Sequence, residues 1–122
     1  MFKRKGDEAV LAKLGDAPAP FDEIGQRLHR IITESGPELE PVVRWGLAFY
    51  VKNGEDVCYI KPDKNFIVFG VGEVLNPARE DGAAMHPVAW TVTSVDTATE
   101  ERISSLVRGA VGHSNQQGGK PR

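Results

Sequence analysis

The chain has 122 residues, of which 40% are hydrophobic and 26% charged, and this length fits one domain with an ordinary core. Its single cysteine, Cys58, excludes an internal disulfide, and no apolar run approaches the ~20 residues of a membrane span. Residues 6–112 carry ten basic side chains against all seventeen acidic ones. Because so acidic a body repels phosphate backbones, we expect no nucleic-acid partner. The sequence also shows neither the apolar run of a signal peptide nor that of a membrane span, so we expect no membrane partner and a cytoplasmic location.

Helical periodicity is found on both sides of a central β-rich region. Residues 7–14 predict a short helix inside an N-terminal extension, residues 1–20, that ends in a proline-rich linker. A strongly amphipathic helix begins at Phe21, because its apolar side chains recur at three- to four-residue spacing. Gly36-Pro37 ends that helix, and a further helical turn is expected over residues 37–43.

The last helix is predicted from a capping box, in which Glu100 follows Thr97 by three residues. An apolar stripe continues to Val111, and Gly112 is expected to end the helix. Residues 113–122 are polar and glycine-rich, so we expect a disordered tail there. The predicted domain therefore covers residues 21–112.

Between the helices the apolar period changes from 3.6 to 2, which predicts strands over residues 48–52, 56–61, 66–70 and 88–94. Asn53-Gly54 is typical of a type I′ hairpin turn. Strict alternation in the second strand places Val57 on one face and Cys58 on the other. The short connections require antiparallel pairing. We predict an α+β two-layer sandwich, in which a mainly antiparallel sheet of about four to five strands is covered on one face by an N-terminal and a C-terminal helix.

Motifs for catalysis and cofactor binding are weak in this sequence. Gly70-Val71-Gly72 lacks both the third glycine and the prompt helix of a dinucleotide motif. Cys58 lies in the middle of an apolar strand, where a thiol is inert. The histidines show no zinc-ligand spacing. We therefore expect no cofactor and assign no catalytic residue, although an enzyme that uses Cys58 or His86 remains an alternative.

Aromatic side chains cluster where the first predicted strand begins. Trp45, Phe49 and Tyr50 fall within six residues, and alternation lets only one of Phe49 and Tyr50 face the helices. The long connection over residues 71–87 contains Arg79 and His86, and such loops often hold binding residues. We predict a ligand recess formed by Trp45, Tyr50, Arg79 and His86, with no metal assigned to it.

Four segments of the sequence together resemble the YdhG-like family of small bacterial domains of unknown function. These segments are residues 37–50, Asn53-Gly54, residues 57–60 and residues 65–70. The resemblance extends over about residues 21–111, and its most specific part is the Trp-Gly segment with the hairpin that follows. One branch of that family resembles frataxin in fold and is linked to iron delivery for iron-sulfur and haem assembly. Frataxin-like proteins present acidic residues on the first helix and the nearby edge, and Glu23, Glu34, Glu38 and Glu40 are loosely comparable here.

Two functions follow as expectations. The first is a non-enzymatic module that binds a small molecule or a protein partner. The second, implied by the resemblance, is a frataxin-like iron-binding chaperone. The chain is expected to be a monomer or a homodimer, because an exposed strand edge could pair across a two-fold axis.

Overall fold

The structure is a computed structural model, and it describes residues 6–72, 75–78 and 80–118, with side chains as far as Gly112. Within these described ranges, three helices and five strands follow one another. In order they are α1 (Asp7–Gly15), α2 (Phe21–Ser35), β1 (Glu40–Arg44), β2 (Leu47–Lys52), β3 (Glu55–Pro62), β4 (Ile67–Val71), β5 (Ala89–Val92) and α3 (Thr97–Gly118).

The five strands form one antiparallel sheet in the order β1-β2-β3-β4-β5, so that every strand pairs with its neighbours in sequence. All three helices pack on the same face, which we call the inner face, and the opposite face is the outer face. Apolar side chains of the strands and helices, among them Leu28, Ile60 and Val107, fill the space between the two layers and are fully buried. The predicted α+β sandwich is thereby confirmed.

Strand β1 lies where the sequence predicted a further helical turn over residues 37–43, and that prediction is wrong. Residues from Glu40 to Arg44 pair with Val51 to Leu47 of β2 instead. The β-branched side chains of Val42 and Val43 favour a strand. Pairing with β2 also gives the backbone of this segment hydrogen-bond partners, which one isolated helical turn lacks.

The pairing of β2 with β3 contains a bulge that breaks the predicted alternation. Tyr50 pairs with Cys58 and Val51 pairs with Asp56, so Val57 is the extra residue. Val57 and Cys58 are consequently both buried, at 0% and 1% exposure, although alternation had predicted opposite faces for them. An extra residue of this kind has no distinct sequence pattern, because both of its neighbours keep their β-character.

Helix α1 lies in the segment that the sequence assigned to an N-terminal extension, and it contributes to the core. Val10 and Leu14 are completely buried, and α1 packs against α2, β1 and β2. At the other end, α3 continues past Gly112 to Gly118, where the sequence predicted a disordered tail. A single glycine costs a helix only about 1 kcal/mol, so Gly112 does not end it. None of the helices in the described residues has the length and apolar character needed to cross a bilayer.

Candidate functional site

The connection between β1 and β2 is a two-residue turn formed by Trp45 and Gly46. Both residues have positive φ angles, +52° and +76°. The next hairpin has the same geometry at Asn53 and Gly54, with φ angles of +53° and +81°. A type I′ turn requires this conformation, which Asn and Gly adopt readily and a bulky side chain does not. Trp45 therefore occupies a position where its side chain opposes the local backbone preference.

Trp45 is also the most exposed aromatic residue for which the structure gives an exposure, since 80% of its surface contacts solvent. Its ring meets the ring of Phe49 edge to face, with 5.8 Å between the centroids. The Arg44 guanidinium lies 5.6 Å from the Trp45 centroid and 4.5 Å from that of Phe49. Arg44 Nη2 also donates to Asp56 Oδ1 at 2.6 Å. These contacts hold an exposed indole in a defined orientation.

Phe49 and Tyr59 continue from Trp45 across the outer face. Phe49 and Tyr59 are paired across β2 and β3, and their ring centroids are 5.8 Å apart. Gly70, the partner of Tyr59 on β4, lies under the Tyr59 ring so closely that a Cβ would overlap it. We call Trp45, Phe49 and Tyr59 the outer aromatic row. No helix of the described residues packs on this face. Trp45 is exposed and Tyr59 is half-buried, whereas Phe49 is buried under its contacts with Trp45, Tyr59 and Arg44.

A polar cleft of about 360 Å³ adjoins the Trp45 turn at the end of the sheet. Lys13, Asp16, Asp63 and Lys64 contribute its charges, and Gly46 connects it to the turn. The last turn of α1, the α1–α2 connection, the β1–β2 turn and the β3–β4 turn supply these residues. We call this feature the end cleft. Its two lysines and two aspartates can pair with charges of either sign.

Tyr50 lies on the inner face, where it is completely buried and belongs to a chain of polar contacts. Its hydroxyl is 2.8 Å from His29 Nδ1, and His29 Nε2 is 2.9 Å from Asp7 Oδ1. The three side chains join β2, α2 and α1. Sequence reasoning overlooked this chain, although His29 is separated from Gly25 and Ile32 by four and three residues and so falls on the buried stripe of α2.

The buried polar chain is structural in character. Burial raises the pKa of Tyr50 well above its ordinary value, and the nearby Cys58 and Asp7 act in the same direction. Burial likewise raises the pKa of the Cys58 thiol, which keeps it protonated and inert. Asp7, His29, Tyr50 and Cys58 are all less than 9% exposed. A substrate therefore has no access to these groups in the folded protein.

The structure does not bring the predicted recess residues together. Trp45 lies on the surface and Tyr50 lies in the core. Val42 of β1 and Ala89 of β5 lie level with each other across the sheet, and these two strands run in the same direction. Trp45 is three residues after Val42, whereas His86 is three residues before Ala89. Those six residue steps separate Trp45 and His86 by roughly 20 Å along the strands. Arg79, the fourth predicted member, lies outside the described residues.

Carboxylates of the predicted acidic region are dispersed in the structure. Glu38 Oε2 lies 3.6 Å from Lys52 Nζ. Glu34 borders a surface groove beside Arg27 and Arg30. In the described part of the chain, no three histidine, cysteine, aspartate or glutamate side chains are grouped as metal ligands. The iron-binding hypothesis remains a prediction, and the observed arrangement adds no support to it.

Comparison of the chain with protein-family models, curated proteins and solved structures finds no match in any of the three. The resemblance to the YdhG-like family therefore stays a prediction. The geometry of the Trp45 turn is the feature of the molecule that bears most directly on function.

Proposed function

We propose that this chain is a non-enzymatic binding module that recognises a protein partner through the outer aromatic row. The observation that carries the proposal is the combination of 80% exposure and positive φ at Trp45. A tryptophan in this position costs conformational energy and buries little surface, so the fold gains little from it. Exposed tryptophans of this kind are typical anchors of protein interfaces, where a few aromatic residues supply most of the affinity.

The surroundings of Trp45 fit an anchor that is ordered before it binds. Arg44 contacts the rings of both Trp45 and Phe49 and is fixed by its ion pair with Asp56. A side chain that is already ordered loses less entropy when a partner covers it. Arginine is itself enriched among residues that dominate binding.

A protein partner fits this surface better than a small molecule does. Small-molecule sites enclose most of their ligand in a largely apolar cavity, whereas Trp45 projects from a hairpin turn and the adjoining end cleft is lined by charges. A polypeptide can place an apolar side chain against the outer aromatic row and a charged group in the end cleft. Such an apolar centre with a polar rim is typical of protein interfaces.

The test uses peptides that are selected from a displayed random library against the wild-type chain. We expect the selected peptides to bind at least about 30-fold more weakly to Trp45→Asn, because an anchor residue contributes about 2 kcal/mol or more. Asn adopts the same turn geometry, so the hairpin is preserved. The matched control is Trp90→Phe, which removes the other tryptophan of the chain and should leave the affinity unchanged.

In the Trp90→Phe protein, Trp45 is the only tryptophan, so its fluorescence reports directly on binding. We expect peptide addition to shift its emission maximum to shorter wavelength as the indole loses water. The proposal fails if the library yields no binding peptide. It also fails if the selected peptides bind Trp45→Asn and the wild type equally well.

A further inference from the structure

Strand β5 forms one edge of the sheet, and its pairing with β4 determines which backbone groups point outwards. The Val71 N–H donates to the Val88 carbonyl oxygen at 3.0 Å, so these two residues form a hydrogen-bonded pair. In an antiparallel ladder such pairs alternate, and Trp90 therefore bonds to β4 in the same way. The N–H and C=O groups of Ala89 and Thr91 consequently point away from the sheet, towards the space where another strand could pair.

The opposite edge, β1, has protection that β5 lacks. Pro41 of β1 carries no N–H group, and Glu40 adds a charge. The backbone of Gly6 lies so close to the Pro41 carbonyl oxygen that a Cβ on Gly6 would overlap it. The sequence of β5 contains neither proline nor a charged residue. Of the two sheet edges that the described residues form, β5 is therefore the one with the open and uncharged character of an edge that can accept a strand.

The segment around β5 is also uncharged and partly apolar on its surface. Residues 82–95 contain no Asp, Glu, Lys or Arg, although 26% of the whole chain is charged. Among the described residues, three large hydrophobic side chains are exposed, and two of them, Met85 and Val88, lie four residues and one residue before the start of β5. A second copy of this segment would meet no repulsion between like charges, and pairing would remove apolar surface from water.

A groove of about 230 Å³ runs between β5 and α3 on the inner face. Trp90, Ile103 and Leu106 line it, and Trp90 stacks on Phe69 with 6.0 Å between the ring centroids. The Arg102 guanidinium also borders the groove and lies 5.8 Å from the centroid of the Trp90 ring. A second β5 paired along this edge would lie beside Trp90 and remove part of the apolar wall of the groove from water.

We propose that β5 pairs with β5 of a second copy, antiparallel and about a two-fold axis through Thr91, to form a ten-stranded sheet. With the axis at Thr91, the two Thr91 residues lie opposite each other as a hydrogen-bonded pair. Ala89 of each copy then lies opposite Thr93 of the other copy. The same axis also brings Trp90 next to Val92 of the second copy on the inner face. This register uses the outward-pointing backbone groups on both chains, and antiparallel pairing of identical strands has the required symmetry.

The interface is small, since it consists of one short strand and its flanking side chains. We expect it to lie near the lower limit of stable interfaces, about 1,200 Å² in total. The chain should then be in equilibrium between monomer and dimer at micromolar concentrations. The outer aromatic row is on the uncovered face and not at this edge, so pairing leaves it accessible.

The test is analytical ultracentrifugation of the full chain over a range of concentrations, with variants at the proposed axis. The wild type should approach twice the 13.3 kDa chain mass as its concentration rises. Thr91 is exposed, and like charges directly opposite each other destabilise a strand pair. Thr91→Glu and Thr91→Lys should each raise the dissociation constant at least about tenfold, and an equimolar mixture of the two should restore the dimer. The matched control is Thr97→Glu, which changes an exposed threonine outside the strand and should leave the dimer intact.

Amide hydrogen exchange gives a second readout that is specific for the proposed register. Dimer formation should protect the Ala89 and Thr91 amides, whereas the Trp90 amide is bonded to β4 in either state and should stay protected throughout. A wild type that remains monomeric up to millimolar concentration overturns the proposal. It would do so even if a peptide from another protein were then found to pair with the β5 edge. A dimer that persists in both Thr91 variants also overturns it, because the contact then lies elsewhere.

Discussion

At the scale of single residues, Tyr50 faces the helices and Phe49 lies on the opposite face of the sheet. The alternation of side chains along a strand predicted that only one of the two could face the helices, but it did not predict which one. Trp45 was recognised as a notable side chain, but its exposure was not predictable, because aromatic residues are usually buried. The positive φ angle of Trp45 arises because the turn between β1 and β2 has only two residues. The sequence alone did not reveal the length of that turn, because β1 itself was not predicted.

The structure predicts that Trp45→Asn leaves the free energy of unfolding almost unchanged. Relief of the unfavourable conformation is expected to gain about 1 kcal/mol, and loss of the contacts with Arg44 and Phe49 to cost a similar amount. Urea unfolding should therefore give a free energy of unfolding no more than about 0.5 kcal/mol below that of the wild type. As the comparison, Phe49→Ala should lose about 2 kcal/mol or more, since Phe49 is only 9% exposed. A large loss in Trp45→Asn would mean that the indole serves the fold.

The buried polar chain gives a second prediction at this scale. Tyr50→Phe removes one hydroxyl and so takes a buried partner from His29 Nδ1. We expect the free energy of unfolding to fall by about 1–3 kcal/mol, because a buried polar atom that loses its hydrogen bond is costly. Tyr59→Phe on the outer face is the control and should change it by less than about 0.5 kcal/mol. Equal effects of the two substitutions in denaturant unfolding would contradict the structural role of this chain.

At the scale of elements, the long periodic segments were predictable and the short ones were not. Helix α2 and the turn of the β2–β3 hairpin agree with their patterns, because a five-residue apolar stripe and an Asn-Gly turn are strong local signals. The bulge within that hairpin was not predictable from its alternation. Strand β1 was not predicted, because the segment that leads into it, residues 37–41, contains two prolines and two glutamates and resembles the first turn of a helix. Its pairing with β2 is a tertiary contact that no local pattern contains.

The start of α3 differs by one residue from its predicted cap, and this difference can be measured. The Thr99 backbone N–H donates to Asp96 Oδ1 at 2.8 Å, and the Glu100 N–H, which a Thr97 cap would bind, donates to the Asp96 carbonyl oxygen at 2.9 Å. Asp96→Ala should therefore lower the melting temperature at neutral pH, and Thr97→Ala should lower it less. A larger loss for Thr97→Ala in thermal unfolding would restore the predicted capping box.

The same cap predicts a pH dependence. The side-chain and backbone hydrogen bonds to Thr99 lower the pKa of Asp96 below its ordinary value. A carboxyl group whose pKa is lowered by folding stabilises the protein above its unfolded pKa, and this contribution is lost as the pH falls through the folded pKa. The difference in melting temperature between wild type and Asp96→Ala should thus be largest at neutral pH and should shrink below about pH 4. A difference that is independent of pH would contradict the cap.

At the scale of the whole molecule, composition and pattern were sufficient for the α+β class but not for the site. The predicted recess combined Trp45 with His86 because both lie near irregular segments, yet the meander places them at opposite ends of the sheet. Only the strand register reveals that separation. The candidate site that remains is a surface on the outer face, while the buried polar chain on the inner face holds α1, α2 and β2 together.

The measurement that tests the central claim most directly is a two-dimensional ¹H–¹⁵N NMR titration of the wild-type chain with a selected peptide. We predict that the largest shifts fall on the Trp45 indole N–H and on the amides of Arg44, Gly46, Phe49 and Tyr59. Shifts concentrated instead on α3 or on the connection around His86, with the Trp45 indole signal unmoved, would contradict the assignment of binding to the outer aromatic row.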